Sequence, residues 1–328
     1  MKNLTVLLGL LMGIMSLISC DKIDQPIPLG PNPIDCYGSL YPNGDSTHYA
    51  NNAKPIFSEN TNSDRNFLIE DFTGHKCQGC SVAGVTAEEI AENNYGRVFV
   101  SAIHAGPNGS TSSGSLQFNG PAPFFHDFTC DEGLEIGYYF GNGLSGSPFV
   151  ANPNGMINRM DVGSGFPLIH PSNWNSFILG PLSANDLKVN IQSAKNYYPS
   201  TRGLFLHTEV ELLDANLTNE LRIVVQLHED SIVKPQLVVF SNQDQSDGDS
   251  TDLIDHLYVH RDALKGMIDG RAFGQKLDGA HLDVNGKYYF DYCYKLPSQY
   301  DATNMHLLIY VRDAVTEEIY QVIKQEID

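Results

Sequence analysis

Basic residues are scarce: 20 Lys and Arg face 39 Asp and Glu, a net charge of −19. A surface of that sign repels polyanions, which argues against nucleic acid and bare anionic lipid as partners. Only one tryptophan is present. There is no Gly-rich phosphate loop, no Gly-x-Ser-x-Gly elbow and no His-Glu-x-x-His, so nucleotide binding, serine hydrolysis and zinc proteolysis have no sequence support. Beyond residue 18 no apolar run is long enough to cross a bilayer.

What is present begins at the N-terminus. Lys2 precedes an apolar stretch over residues 4–18 that ends at Leu17, Ile18, Ser19 and Cys20. The stretch is too short to span a membrane, and one positive charge, an apolar core and a small residue before the cut make a secretory signal. The cysteine directly after it resembles the lipobox of bacterial lipoproteins. That resemblance implies cleavage before Cys20 and acylation of it, palmitate included, each buried methylene adding about 0.8 kcal/mol of anchoring. The expected location is therefore the cell envelope, with the membrane as a partner through lipid on Cys20. Cys36, Cys77, Cys80, Cys130 and Cys293 remain, and outside the cytoplasm thiols tend to be oxidised. Cys36, Cys130 and Cys293 are an odd set with three possible pairings.

Residues 21–64 are rich in Pro, Asn, Gly and Ser without a sustained period, and read as a flexible tether with a reach of about 35 to 40 Å. From residue 67 an apolar run, Phe67, Leu68, Ile69, Glu70, Asp71 and Phe72, suits a buried strand. A helix is expected from about Cys80, with Ala83, Ala87, Ile90 and Ala91 on one face. Residues 97–102 read as a second strand, completing a parallel βαβ unit. A Gly/Ser/Asn loop and an aromatic segment, expected as inserted helix, occupy residues 104–146. Residues 147–151 and 155–159 flank a turn at Asn152, Pro153 and Asn154 and read as a hairpin. Beyond residue 185 the period is mostly 2, with seven short strands suggesting a β-sandwich. The acidic loop 241–252 lacks the EF-hand spacing and reads as solvated loop. The expected fold class is α/β plus all-β, in two folded parts, residues 65–184 and 185–328.

The informative motif is Cys77-Gln78-Gly79-Cys80, after a strand and at a helix start. Two thiols so spaced can close a disulfide, and the helix N-terminus, with Lys76 and His75, is expected to favour thiolate at Cys77. Cys77 would attack a partner disulfide and Cys80 would resolve the mixed disulfide. At this motif the sequence resembles the thioredoxin-like superfamily and, more closely, the outer-membrane protein 28 family of Bacteroidetes lipoproteins. The resemblance rests on the run from Phe67 through Gly74 into Cys77 and Cys80, on Gly146-Ser147-Pro148, on Met156-Ile157-Asn158-Arg159 and on Tyr258-Val259-His260. It implies a thioredoxin-like domain followed by an immunoglobulin-like one, in an outer-membrane lipoprotein. It further implies that Pro148 is cis and faces the two cysteines, with Ser147 and Pro148 as the substrate-binding edge. Lys76 departs from the tryptophan usual in thioredoxin, and the insertion after the second strand could cover the site.

Two functions stay open on these residues. Cys77 and Cys80 exchange disulfides of exported proteins, or they form a static staple in a non-catalytic lipoprotein that binds protein or glycan. Metal carriage would need a third ligand such as His104, which no spacing demands. His256 and His260 stand four apart with no His-Glu-x-x-His motif and no carboxylate partner obvious in the sequence, and read as satisfied or surface histidines. Trp174 and the aromatics around 124–128 read as packing. No metal and no cofactor are expected.

Overall fold

In the computed structural model the described residues are 38–328 except 108, 110, 112–114, 121, 142–147, 164 and 240–252. Cys20, Cys36, Ser147 and the acidic loop therefore lie outside them. Strand β1 (Phe67–Thr73) is buried along nearly its whole length, as a run of apolar residues without alternation requires. Helix α2 (Gln78–Asn93) follows, after a short α1 (Ser46–Asn52), and leads into β2 (Val98–His104), which pairs parallel with β1. The expected βαβ unit is present. Helix α3 (Asp131–Gly141) supplies the inserted helix.

The expected hairpin is absent. Strand β3 (Asn154–Ile157) pairs antiparallel with β1 rather than with residues 148–151. Gly155 makes the pairing possible: a Cβ there would meet the Trp174 ring at 2.5 Å and the Glu70 carbonyl at 2.7 Å. Trp174 opens α4 (Trp174–Ala184) and is fully buried, its Nε1 donating to the Ile169 carbonyl at 3.0 Å. The packing role read for it from sequence is what it has.

The second half is β-rich: β4 (Val189–Tyr198), β5 (Gly203–Leu212), β6 (Leu221–Glu229), β7 (Ile232–Val233), β8 (Gln236–Leu237), β9 (Ile254–Asp255), β10 (Val259–His260), β11 (Ala263–Met267), β12 (Gln275–Lys276), β13 (Lys287–Lys295), β14 (Met305–Asp313) and β15 (Ile319–Glu326). The chain is a mixed α/β protein with several sheets. The largest has the order β15-β14-β6-β11-β2-β1-β3, with β12 also on β6, and a three-stranded sheet runs β13-β5-β4. Ile191, Leu206 and Phe290 of the small sheet share one core with Ile223, Leu307 and Ile309 of the large one, so the two pack face to face. Strand β11 joins β2 in parallel at Ala263 and Ala102, so the large sheet is shared by residues from both halves of the chain.

The segment read as a tether carries structure from Gly38 onward. Leu40 and Tyr49 are buried with Phe205 of β5, and the Tyr49 hydroxyl lies 2.7 Å from Nε2 of His207. The few apolar residues of this stretch are irregularly spaced, so no period betrays the docking. Burying a Leu and a Tyr, at about 1.5 to 3 kcal/mol for a large apolar side chain, offsets the entropy of ordering it.

Candidate functional site

Strand β1 ends at Thr73, and Gly74 turns the chain toward α2. A Cβ on Gly74 would come within 2.7 Å of Gln117 Nε2 and 3.0 Å of the Leu116 carbonyl, so this turn tolerates no side chain. Cys77 is the N-cap of α2, with extended backbone, and Cys80 sits in the first turn. Their sulfurs are bonded, with 5.3 Å between the Cα atoms. Both are buried, Cys77 at 6% exposure and Cys80 at 1%, which leaves Cys77 the more accessible. Of the odd set, Cys293 is disulfide-bonded and Cys130 is free. Burial pushes the Cys130 thiol up to about 12, so it stays protonated and unreactive at neutral pH.

Gly79, between the cysteines, admits Pro153: its Cβ would lie 3.3 Å from the proline Cγ. The Asn152–Pro153 peptide is cis, and Asn152 Nδ2 donates to the Thr73 carbonyl at 2.7 Å. The proline packed on the cysteine loop is thus Pro153, not Pro148. Pro148 is exposed. The order Gly-Ser-Pro resembles a substrate edge, but it is the proline immediately before β3 that the pairing of β3 with β1 carries to the disulfide.

Asp71 lies in β1, within what reads from sequence as an apolar run. Residues alternate faces along a strand, so Asp71 shares a face with Phe67 and Ile69, which pack against Ala83 and Ala87 of α2. It is 2% exposed, its Oδ1 has no partner, and desolvation raises its pKa to about 8. Its signal in the sequence was an acid six positions before Cys77 on the helix-facing side of the strand. A cavity of about 50 Å³ opens beside it, lined by Asp71, Thr73, His104, Gln236, Tyr258 and His260, with room for water. The Tyr258 hydroxyl reaches this place through Gly84 of α2, whose Cβ would lie 3.1 Å from it.

Four histidines surround Phe128. Ring centroids stand at 4.5 Å for His104, 4.3 Å for His260, 4.4 Å for His126 and 5.7 Å for His75. Burial lowers the pKa of each, to about 4 for His126 and about 3 for His260, so all are neutral at pH 7. His75 therefore offers no positive charge to Cys77. Its Nε2 donates instead to the Phe118 carbonyl at 3.1 Å, and the Lys76 ammonium lies over the Phe118 ring at 5.0 Å. His104 carries no partner on either ring nitrogen. Among the described residues no three His, Cys, Asp or Glu are grouped to hold a metal. His260, which its spacing to His256 marks as an ordinary histidine and which belongs to the Tyr258-Val259-His260 pattern, is part of this cluster.

The second half also closes over the cysteine turn. Gln236 Nε2 donates to the Cys77 carbonyl at 3.0 Å and the Gly74 carbonyl at 3.3 Å, while the Leu237 amide donates to the His75 carbonyl at 2.8 Å.

No protein-family model matches the chain, and no curated protein matches it. Among solved structures the chain is similar to HBP35 of Porphyromonas gingivalis, 15% identical, over 81% of this chain and 76% of that one, with a TM-score of 0.55. Protein AGR_C_4864 from Agrobacterium tumefaciens aligns over 80% of this chain and 94% of its own, at 11% identity and TM-score 0.46. A domain of the outer membrane lipoprotein Omp28 from Porphyromonas gingivalis aligns over 44% of this chain and 90% of its own, at 19% identity and TM-score 0.28. At 15% identity the likeness to HBP35 is one of fold.

Proposed function

We propose that this chain is a lipid-anchored protein of the cell envelope that exchanges disulfides of exported proteins through Cys77 and Cys80 of a thioredoxin-like domain, residues 65–184. The strands of residues 185–328, immunoglobulin-like in this reading, share the large sheet with β1 and β2 and close one side of the site through Gln236. The single observation that carries it is Asp71. A buried carboxyl without a full set of hydrogen bonds is costly, and a static staple has no use for one. A dithiol at the start of the helix packed on this strand face can use a proton acceptor. In the reduced protein, Cys77 thiolate attacks one sulfur of a partner disulfide and expels the other partner sulfur as thiolate. Asp71 takes the proton of Cys80, whose thiolate attacks Cys77 and releases the second partner thiolate. Two electrons pass to the partner, the protein is left as the Cys77–Cys80 disulfide, and the released thiolates pick up protons. Lipid on Cys20 would hold this site at a membrane surface, and the outer membrane is the proposed one.

A second reading has support in the burial of both sulfurs and in the grip of Gln236 on the turn: a structural disulfide in a binding lipoprotein for protein or glycan. Alkylation and mass spectrometry across glutathione buffers separate the two. A potential between about −270 and −120 mV, with Cys77 alone alkylated after reduction, supports exchange. A potential below about −300 mV, with both sulfurs inert in the folded protein, supports the staple.

A further inference from the structure

Beside the cysteine turn lies a cavity of about 290 Å³ that opens to solvent. Three segments far apart in sequence build it. His75 comes from the turn itself, Phe124 and Phe125 from the insertion after β2, and Lys234 and Pro235 from the strap before β8. Phe124 is buried against the His75 ring, with centroids 5.2 Å apart, while Phe125 stands 69% exposed at the rim. The strap wall is held in place: the Lys234 amide donates to the Tyr258 carbonyl at 3.1 Å, and His260 Nε2 lies 3.2 Å from the Lys234 carbonyl. At neutral pH the lining histidines, His75 and His126, are uncharged.

Size decides the class of occupant. Sites for whole small ligands run from about 300 to 1,000 Å³, so this one, at the lower bound and open, suits one large side chain. Its aromatic and proline walls suit an apolar ring, and such a ring would cover Phe125 in turn. His75 is both part of the wall and two residues before Cys77, so the cavity adjoins the turn that carries the reacting sulfur. We infer that this cavity receives an aromatic or large aliphatic side chain next to the cysteine of an extended polypeptide, and so selects which exported disulfides are exchanged. The inference rests on the exchange reading and names its substrate class.

The test uses the reduced full chain and two synthetic peptide disulfides with glutathione, Gly-Ser-Phe-Cys-Gly-Ser and Gly-Ser-Ser-Cys-Gly-Ser. Exchange with the Phe peptide should be about tenfold faster, the worth of burying part of one ring, and Phe125→Ser should bring the two rates within about twofold. Equal rates in the parent protein would overturn the subsite while leaving exchange intact. A cysteine-free peptide, Gly-Ser-Phe-Ser-Gly-Ser, added to the oxidised protein, reads binding alone through the ring resonances of His75 and His126. If neither disulfide exchanges but these resonances shift, the cavity stands as a binding site and the exchange reading falls. If neither exchanges and nothing shifts, both fall.

Discussion

Gln236 donates to the carbonyl of Cys77 at 3.0 Å, across 159 positions of sequence. The same amide nitrogen reaches the Gly74 and Leu237 carbonyls, so one buried side chain from the second half ties down the turn that presents the disulfide. Gln236→Ala should leave those carbonyls short of a donor and destabilise by about 1 to 3 kcal/mol. It should also speed alkylation of reduced Cys77. Urea unfolding and timed alkylation check the two halves of this expectation, and an unchanged alkylation rate would mean that the strap does not guard the sulfur.

Asp71 makes an opposite prediction for stability. Its folded pKa, about 8, is raised from an ordinary 3.8 by desolvation. Between those values the folded protein binds more protons than the unfolded one, so stability falls as pH rises from about 4 to 8. Asp71→Asn should remove that loss and stabilise the protein at pH 8 and above, by on the order of 5 kcal/mol at most. It should slow exchange as well, because Cys80 loses its proton acceptor. Denaturation midpoints at pH 5 and pH 8.5, for both proteins, reveal whether the gain is larger at the alkaline value, and an equal gain at both would remove Asp71 titration as its cause.

The histidine cluster acts on the acid side. His126 and His260 have folded pKa values of about 4 and about 3, lowered by burial from 6.5. Below pH 6.5 the unfolded chain takes up protons that these rings do not, so stability is lost as pH falls toward 3. His260→Phe should flatten that loss. Thermal unfolding midpoints at pH 7 and pH 4 measure it, and a parallel acid shift in parent and variant would remove His260 as a cause.

Arg159 and Glu70 form a fully buried pair, with Nε to Oε2 at 2.7 Å and Nη2 to Oε1 at 2.6 Å; Arg159 Nη2 also donates to the Tyr310 hydroxyl at 3.1 Å. Arg159→Met should cost about 3 to 5 kcal/mol, because Glu70 is left charged and unpaired in the core. The double change Glu70→Met with Arg159→Met should cost much less. Guanidinium unfolding of the three variants gives the coupling, and additive losses would mean that the pair does not act as one unit.

Much of this was local and therefore legible. The apolar run at 67–72, the helical spacing of Ala83, Ala87 and Ile90, and the alternation beyond residue 185 are periodic signals, and β1, α2 and the β-rich second half follow from them. The two cysteines could be placed at a helix start for the same reason. Pattern could not tell which proline meets them, because Pro148 and Pro153 both follow the insertion and only the pairing of β3 with β1 chooses Pro153. Nor could it tell that two adjacent acids, Glu70 and Asp71, part company: strand alternation turns one toward Arg159 and the other toward α2. Sequence determined the elements and the dithiol. Tertiary structure decided the burial of the Asp71 carboxyl, the histidines around Phe128 and the strap across the turn, because burial and desolvation depend on neighbours that lie far along the chain.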